Sequence, residues 1–299
     1  MTEQANGSFE ILAPARWSAP LVFNSPHSGH DLPEPFLAMT NLTPTQLRAS
    51  EDSHVDRLFS GCLDAGAPMM RALQSRSYLD LNREPYELDA RMFRDRLPAY
   101  VNVASPRVAS GLGTLPRTVG EGLNIYKGPI DFHEALTRIE TVYRPYHRAL
   151  GSLLDEALDV TGIALLVDCH SMPSSAVNHM RASHGSPVDF VLGDRFGSAC
   201  NPDITTIVET CLSQAGFTVS RNKPYSGGFF TEHHGRPRLG RHALQIEVNR
   251  RLYMDEASHV PHAGFADLQA ILTKMATALS SWLQDHVVVS DQGLATAAE

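Results

Sequence analysis

Cysteine is scarce in this 299-residue chain: there are four, and none forms a C-x-x-C pair. Cys62, Cys169, Cys200 and Cys211 stand among apolar residues. That fits reduced thiols and excludes a disulfide framework or a thiolate zinc site. Long hydrophobic runs are missing too, none approaching the roughly 20 residues that a bilayer span needs. The first residues, MTEQANGSFE, place no apolar block behind a cationic one. No signal peptide is therefore expected, and the chain reads as cytoplasmic. No lysine/arginine block offsets the formal net charge of −8. Neither nucleic acid nor an anionic membrane is expected as a partner. Internal repeats, long linkers and a compact H-E-x-x-H signal are also absent.

What is present reads as an ordinary globular core, with 42% hydrophobic and 19% charged residues. One domain is expected over 10–289, with flexible ends at 1–9 and 290–299. Strand-forming segments at 20–24, 67–73, 76–81, 163–169, 188–192 and 242–248 interleave with helical ones at 44–65, 131–160, 203–215 and 263–286. In the second helical segment Leu136, Ile139, Tyr143, Tyr146, Leu150 and Leu153 recur at steps of three and four, one apolar stripe, and Pro145 should kink it. This pattern predicts an α/β fold, a single domain whose central mixed β-sheet carries helices on both faces. Ligands gather at the carboxyl ends of strands in such folds. The Pro-, Gly- and Arg-rich stretch 84–130 lacks periodicity and is expected to wall a pocket.

Five short stretches carry groups capable of chemistry. In PLVFNSPHSGHDLP a strand breaks at Pro26 and presents His27, while His30 reads as a loop residue. IALLVDCHSMPSS repeats that pattern: Asp168 and His170 share one strand face, and Cys169 turns to the core. Either histidine alone would be an end-of-strand residue making one hydrogen bond; the repetition brings a shared site level with that reading. ASEDSHVDRLF reads as an acidic first helical turn, with Ser50 or Asp52 as cap. Yet Glu51, Asp52, His54 and Asp56 also concentrate ligand atoms, and two histidines with one carboxylate form the set of hydrolytic zinc sites. RHALQIEVNRR puts Gln245, Glu247 and Asn249 on one strand face. That face belongs either to a wet edge strand or to a cleft wall with Glu247 as general base. The lead-in YSGGFFTEHHGRPRLG looks like a mobile loop carrying His233 and His234. Finally, SRSYLDLNREP ends an alternating segment with Asn82 and Arg83, a surface pair or a fork for an anion.

Together SPHSG, EDSHVDRLF, DLNREP, GLNIYKGP, VDCHSMP and GGFFTEHHGRP…GRHALQIEVNRRLYMDE resemble, in order, the N-formylglutamate amidohydrolase (deformylase) family. The resemblance spans about residues 20–256. It implies a fold similar to zinc carboxypeptidases and aspartoacylases, with one Zn2+ ion held by His27, His170 and a carboxylate. Asp52 matches that carboxylate best, and Asp56 is the alternative. It further implies Glu247 as the catalytic glutamate, and Arg83, with Asn82, as the group that polarises the carbonyl or binds a substrate carboxylate. Glu232 departs from the family pattern, which carries Arg there. Asp168 is expected to support the metal shell from behind. The implied substrate is a small acidic N-acyl amino acid, N-formyl-L-glutamate, cleaved to formate and L-glutamate. Cations for it are sought in Arg83, Lys127, Arg250, Arg181 and His233. Two other readings stand beside this one: a related metallo-carboxypeptidase or amidase acting on a peptide or cell-wall fragment, and a non-catalytic binding protein on the same scaffold.

Overall fold

Two nine-residue strands, ALLVDCHSM and RHALQIEVN, lie parallel at the middle of the sheet and are buried almost end to end. The computed structural model describes residues 3–5, 7–120, 122–180 and 187–295. Its strands are β1 (Glu3–Ala5), β2 (Phe9–Leu12), β3 (Leu21–Ser25), β4 (Met69–Ala72), β5 (Thr118–Val119), β6 (Leu123–Asn124), β7 (Ala164–Met172), β8 (Phe190–Gly193), β9 (Val219–Arg221) and β10 (Arg241–Asn249). β5 and β6 form a separate ribbon; the other eight make one mixed sheet in the order β1-β2-β4-β3-β7-β10-β8-β9. Within it β4, β3, β7 and β10 run parallel.

Alternation along these strands builds two cores. Leu21, Phe23, Leu165, Val167, Cys169, Leu244 and Ile246 face the helices Pro202–Gln214 and Gly264–Ala295. Val22, Leu166 and Ala243 face Tyr146, Leu150 and Leu154 of the helix Arg144–Thr161. Each large apolar side chain buried this way contributes about 1.5–3 kcal/mol. The polar residues Asn24, Asp168, His170, Gln245 and Glu247 share the second face by strand periodicity, at the carboxyl ends of β3, β7 and β10.

Two expectations are corrected here. Residues 76–81 are not a strand: Tyr78 and Leu79 bond back to the Ser75 carbonyl, and the Ser75 and Ser77 hydroxyls bond each other. Leu79 and Leu81 reach the core from this turn, which mimics strand alternation. The helix expected over 44–65 is broken into Pro44–Leu47 and Val55–Leu58 with short 3₁₀ turns. The Asp52 N–H bonds the His27 carbonyl instead of a helical one, and His54 takes a left-handed φ of 65°. β10 lies inside the sheet, between β7 and β8, so it is not an edge strand wetting a polar face. Among the described residues secondary structure begins at Glu3 and runs to Ala295. In the 131–160 segment the apolar stripe is present, and a π-helical turn over Ile139–Tyr143 precedes Pro145. There the ring, which lacks an N–H, sits in the first turn of resumed α-helix.

Candidate metal centre

β3 ends at Ser25, and Pro26 turns the chain so that His27 sits past the strand end. Gly29 lets this turn lie flat on the chain after β4, because a Cβ there would be 2.4 Å from the Leu73 carbonyl carbon. His170 stands near the end of β7, and Asp52 comes from the interrupted helix. One ligand atom from each of His27, Asp52 and His170 lies within 4.8 Å of the others, and all three residues are buried. The structure therefore brings together Asp52, and not Asp56, with the two histidines. The Asp56 carboxylate accepts from Arg71 at 2.7 Å, in a network with Glu10.

Each imidazole points Nδ1 at the same carboxylate oxygen. His27 Nδ1 lies 3.4 Å, and His170 Nδ1 3.0 Å, from Asp52 Oδ2. Each Nε2 faces an acid behind it: Asp80 Oδ1 at 2.8 Å from His27, Asp168 Oδ2 at 2.9 Å from His170. With Nε2–H donating backwards, each Nδ1 lone pair faces Asp52. His27 Nδ1 is buried without a hydrogen-bond partner among the described residues. An orphaned imidazole nitrogen is costly unless a cation or proton occupies the space before it. Burial opposes charge on His170, yet the carboxylates of Asp168 and Asp52 outweigh it and raise its pKa well above the usual range. Burial would raise Asp52, but the two imidazoles beside it, His170 and His27, hold it well below the carboxylate range. Both effects mark a site short of positive charge. Two imidazole nitrogens and one carboxylate oxygen, backed by further acids, fit a zinc-type divalent ion.

The backing acids are themselves held. Asp168 accepts from Asn24 at 2.8 Å and Asn82 at 3.5 Å, and Tyr146 O–H donates to Asn24 at 2.6 Å. Asp80 accepts from the Asn82 N–H at 2.9 Å and Arg76 at 2.7 Å, with Arg83 at 3.4 Å. Burial works to raise Asp80, but Arg76, Arg83 and His27 hold it well below the usual range.

Glu247 is in register with His170 on the neighbouring strand, and Gln245 with Asp168. Glu247 is 8% exposed, and Gln245 Nε2 donates to its Oε1 at 2.8 Å. Burial pushes the Glu247 carboxyl up to about 7, against the pull of His170. A buried carboxylate in that range can accept a proton at neutral pH.

The expected cations are placed unevenly. Arg250 is buried, donating to Asp52 at 3.2 Å, Ser171 at 3.2 Å and the Glu51 carbonyl at 2.8 Å. Its guanidinium thus braces the Asp52 carboxylate. Arg83 donates to the carbonyls of Leu112 and Asn82, at 2.8 and 2.7 Å. Asn82 is buried, with its amide engaged by Phe230 N–H and Asp168. Lys127 is exposed, and His233 stacks on Phe229, 5.2 Å between ring centres. Neither joins the cluster through a side-chain hydrogen bond among the described residues. Arg181 lies outside the described residues. His54 donates to, or accepts from, no site group and instead contacts the His259 carbonyl at 2.9 Å. Glu232 is exposed and pairs with Arg195 at 3.2 Å.

Sequence reasoning missed Arg76, whose side chain is 20% exposed and whose charge is felt by Asp80, Asp52 and Glu247. Its spacing of four from Asp80 is the one signal that could have found it. It also missed Tyr225, a half-buried ring packed beside Met172, Val177 and Val191.

Known proteins resemble this chain along most of its length. The model of the N-formylglutamate amidohydrolase family matches residues 19–254. The N-formylglutamate deformylase of Pseudomonas aeruginosa is 30% identical over 289 residues, covering 91% of this chain and 97% of its own length. The N-formylglutamate deformylase of Pseudomonas putida is 29% identical, covering 88% of this chain and 93% of its own. The crystal structure of an N-formylglutamate amidohydrolase from Ralstonia eutropha JMP134 superposes with a TM-score of 0.87 at 33% identity, covering 94% of this chain and 99% of that one. The chain belongs to the N-formylglutamate amidohydrolase family.

Proposed function

We propose that this protein hydrolyses the amide bond of a small acidic N-acyl amino acid, N-formyl-L-glutamate above all, with one divalent metal ion, zinc on the chemistry of its donors. The observation that carries this reading is the buried His27–Asp52–His170 cluster with Glu247 in register beside it. The names of the Pseudomonas and Ralstonia relatives support the substrate.

When bound, the ion would supply Lewis acidity, polarising the carbonyl and acidifying a water. His27, Asp52 and His170 would hold it; Asp80, Asp168 and Arg250 keep those three in orientation. Glu247 takes the proton of the attacking water and delivers it to the leaving nitrogen. Arg76, electrostatically coupled to both Asp52 and Glu247, stabilises negative charge developing on the carbonyl oxygen. Arg83, 3.4 Å from Asp80 and held by the Leu112 and Asn82 carbonyls, would receive a substrate carboxylate.

The test is formate release from N-formyl-L-glutamate by the wild type and by Glu247→Gln. The substitution is expected to lower kcat by about 10²–10⁴. Full activity in Glu247→Gln would refute the assigned base. Release from neutral N-formyl amino acids at an equal kcat/KM would refute the acidic substrate.

A further inference from the structure

The segment after Tyr225 reads Ser226-Gly227-Gly228-Phe229-Phe230, and its two glycines are packed with no room for a Cβ. A Cβ on Gly228 would be 2.4 Å from the Asn82 amide nitrogen, and one on Gly193 of β8 would be 2.7 Å from the Gly227 nitrogen. Two N–H groups of this turn reach two buried amides. Gly228 N–H donates to Gln245 Oε1 at 2.7 Å, and Phe230 N–H donates to Asn82 Oδ1 at 3.0 Å.

An amide side chain can present either its oxygen or its NH2 to a neighbour. Here the turn occupies both oxygens, so both NH2 groups must face the metal centre. The Asn82 NH2 then lies 3.2 Å from His170 Nε2 and 3.5 Å from Asp168, and the Gln245 NH2 meets Glu247. Reversing Gln245 would set its oxygen against the Glu247 carboxylate and its NH2 against the Gly228 N–H, two repulsive pairs at once. From this geometry we infer that Gln245 is a positioning residue for Glu247, keyed as a donor by the Gly228 N–H. The inference rests on the reading of Glu247 as general base.

Two substitutions separate keying from mere support of the turn. Gln245→Met keeps the volume and removes both hydrogen bonds. Gln245→Glu, followed as a pH profile up to about pH 10, keeps an acceptor for the Gly228 N–H and loses the donor to Glu247 once both carboxyls are ionised. Both are expected to lower kcat by about 10–100-fold, as for other residues that orient a reacting group, with KM within about twofold and metal content unchanged. Wild-type kcat in Gln245→Glu would overturn the inference, leaving Gln245 as a turn anchor. A fall that appears in KM alone would overturn it as well. A wild type that releases no formate would overturn the general-base reading, and this inference with it. An active wild type with two undiminished variants would overturn the inference alone.

Discussion

His27 and His170 approach one Asp52 oxygen through the same nitrogen, and each is backed by an acid through the other, but the two acids are built differently. Asp168 sits on the same rigid strand as His170 and is surrounded by neutral donors, the amides of Asn24 and Asn82. Asp80 sits on an irregular turn and carries two guanidiniums, Arg76 and Arg83. The strand arm can fix direction with little cost in chain entropy, because β7 is already ordered by its neighbours. The turn arm does something the strand arm does not: it links His27 to the guanidiniums of Arg76 and Arg83. One carboxylate thereby sets a histidine and two arginines at once.

The largest expected difference between the arms comes from removing charge. Asp80→Asn leaves two mostly buried guanidiniums without their acid, and losing one partner of such a pair typically costs about 3–5 kcal/mol. Asp168→Asn leaves neutral donors facing an amide, which costs about 1–3 kcal/mol. Both should weaken metal binding by about 10–100-fold. Thermal unfolding and metal titration of the two variants check the order. Equal losses of stability would break the comparison, and Asp168→Asn with unchanged metal affinity would remove the support role of Asp168.

The pH dependence is a smaller effect. As the proposed base, Glu247 would act only when ionised, so kcat/KM should fall as pH drops through its pKa. Burial pushes that pKa up to about 7, and a bound cation would draw it back toward the ordinary carboxylate range. The acid limb should therefore lie below about 7 and move when the metal is changed. A profile flat from pH 8 to pH 4 would contradict Glu247 as base. The smallest effect is expected at Lys127, exposed and apart from the cluster: Lys127→Ala should leave KM within about twofold. A tenfold rise would bring Lys127 back into the substrate site.

These regions also differed in how legible they were. The strand arm could be read directly, because period-two alternation puts Asp168 with His170, and Gln245 with Glu247, whatever the rest of the chain does. The sheet between helices followed from the same periodicity. The turn arm was hidden. Leu79 and Leu81 alternate with polar residues as a strand would, so Arg76 and Asp80 looked like strand residues and not like a turn reaching the site. Asp52 was found through its motif but placed on the wrong kind of element. The helix is interrupted there because the His27 carbonyl captures the Asp52 N–H, a contact between distant residues that local propensity does not register. Arg250 was recognised as a cation near the site, but whether it faces substrate or braces Asp52 depends on tertiary contacts alone.

The metal centre itself is the central claim, and bound metal per chain tests it most directly. Wild type and His170→Ala would be stripped, reloaded with zinc and analysed alongside their thermal unfolding. The account predicts about one equivalent in the wild type, and its loss in His170→Ala despite a folded chain. A wild type that binds no metal, or a His170→Ala variant that binds as much, would contradict it.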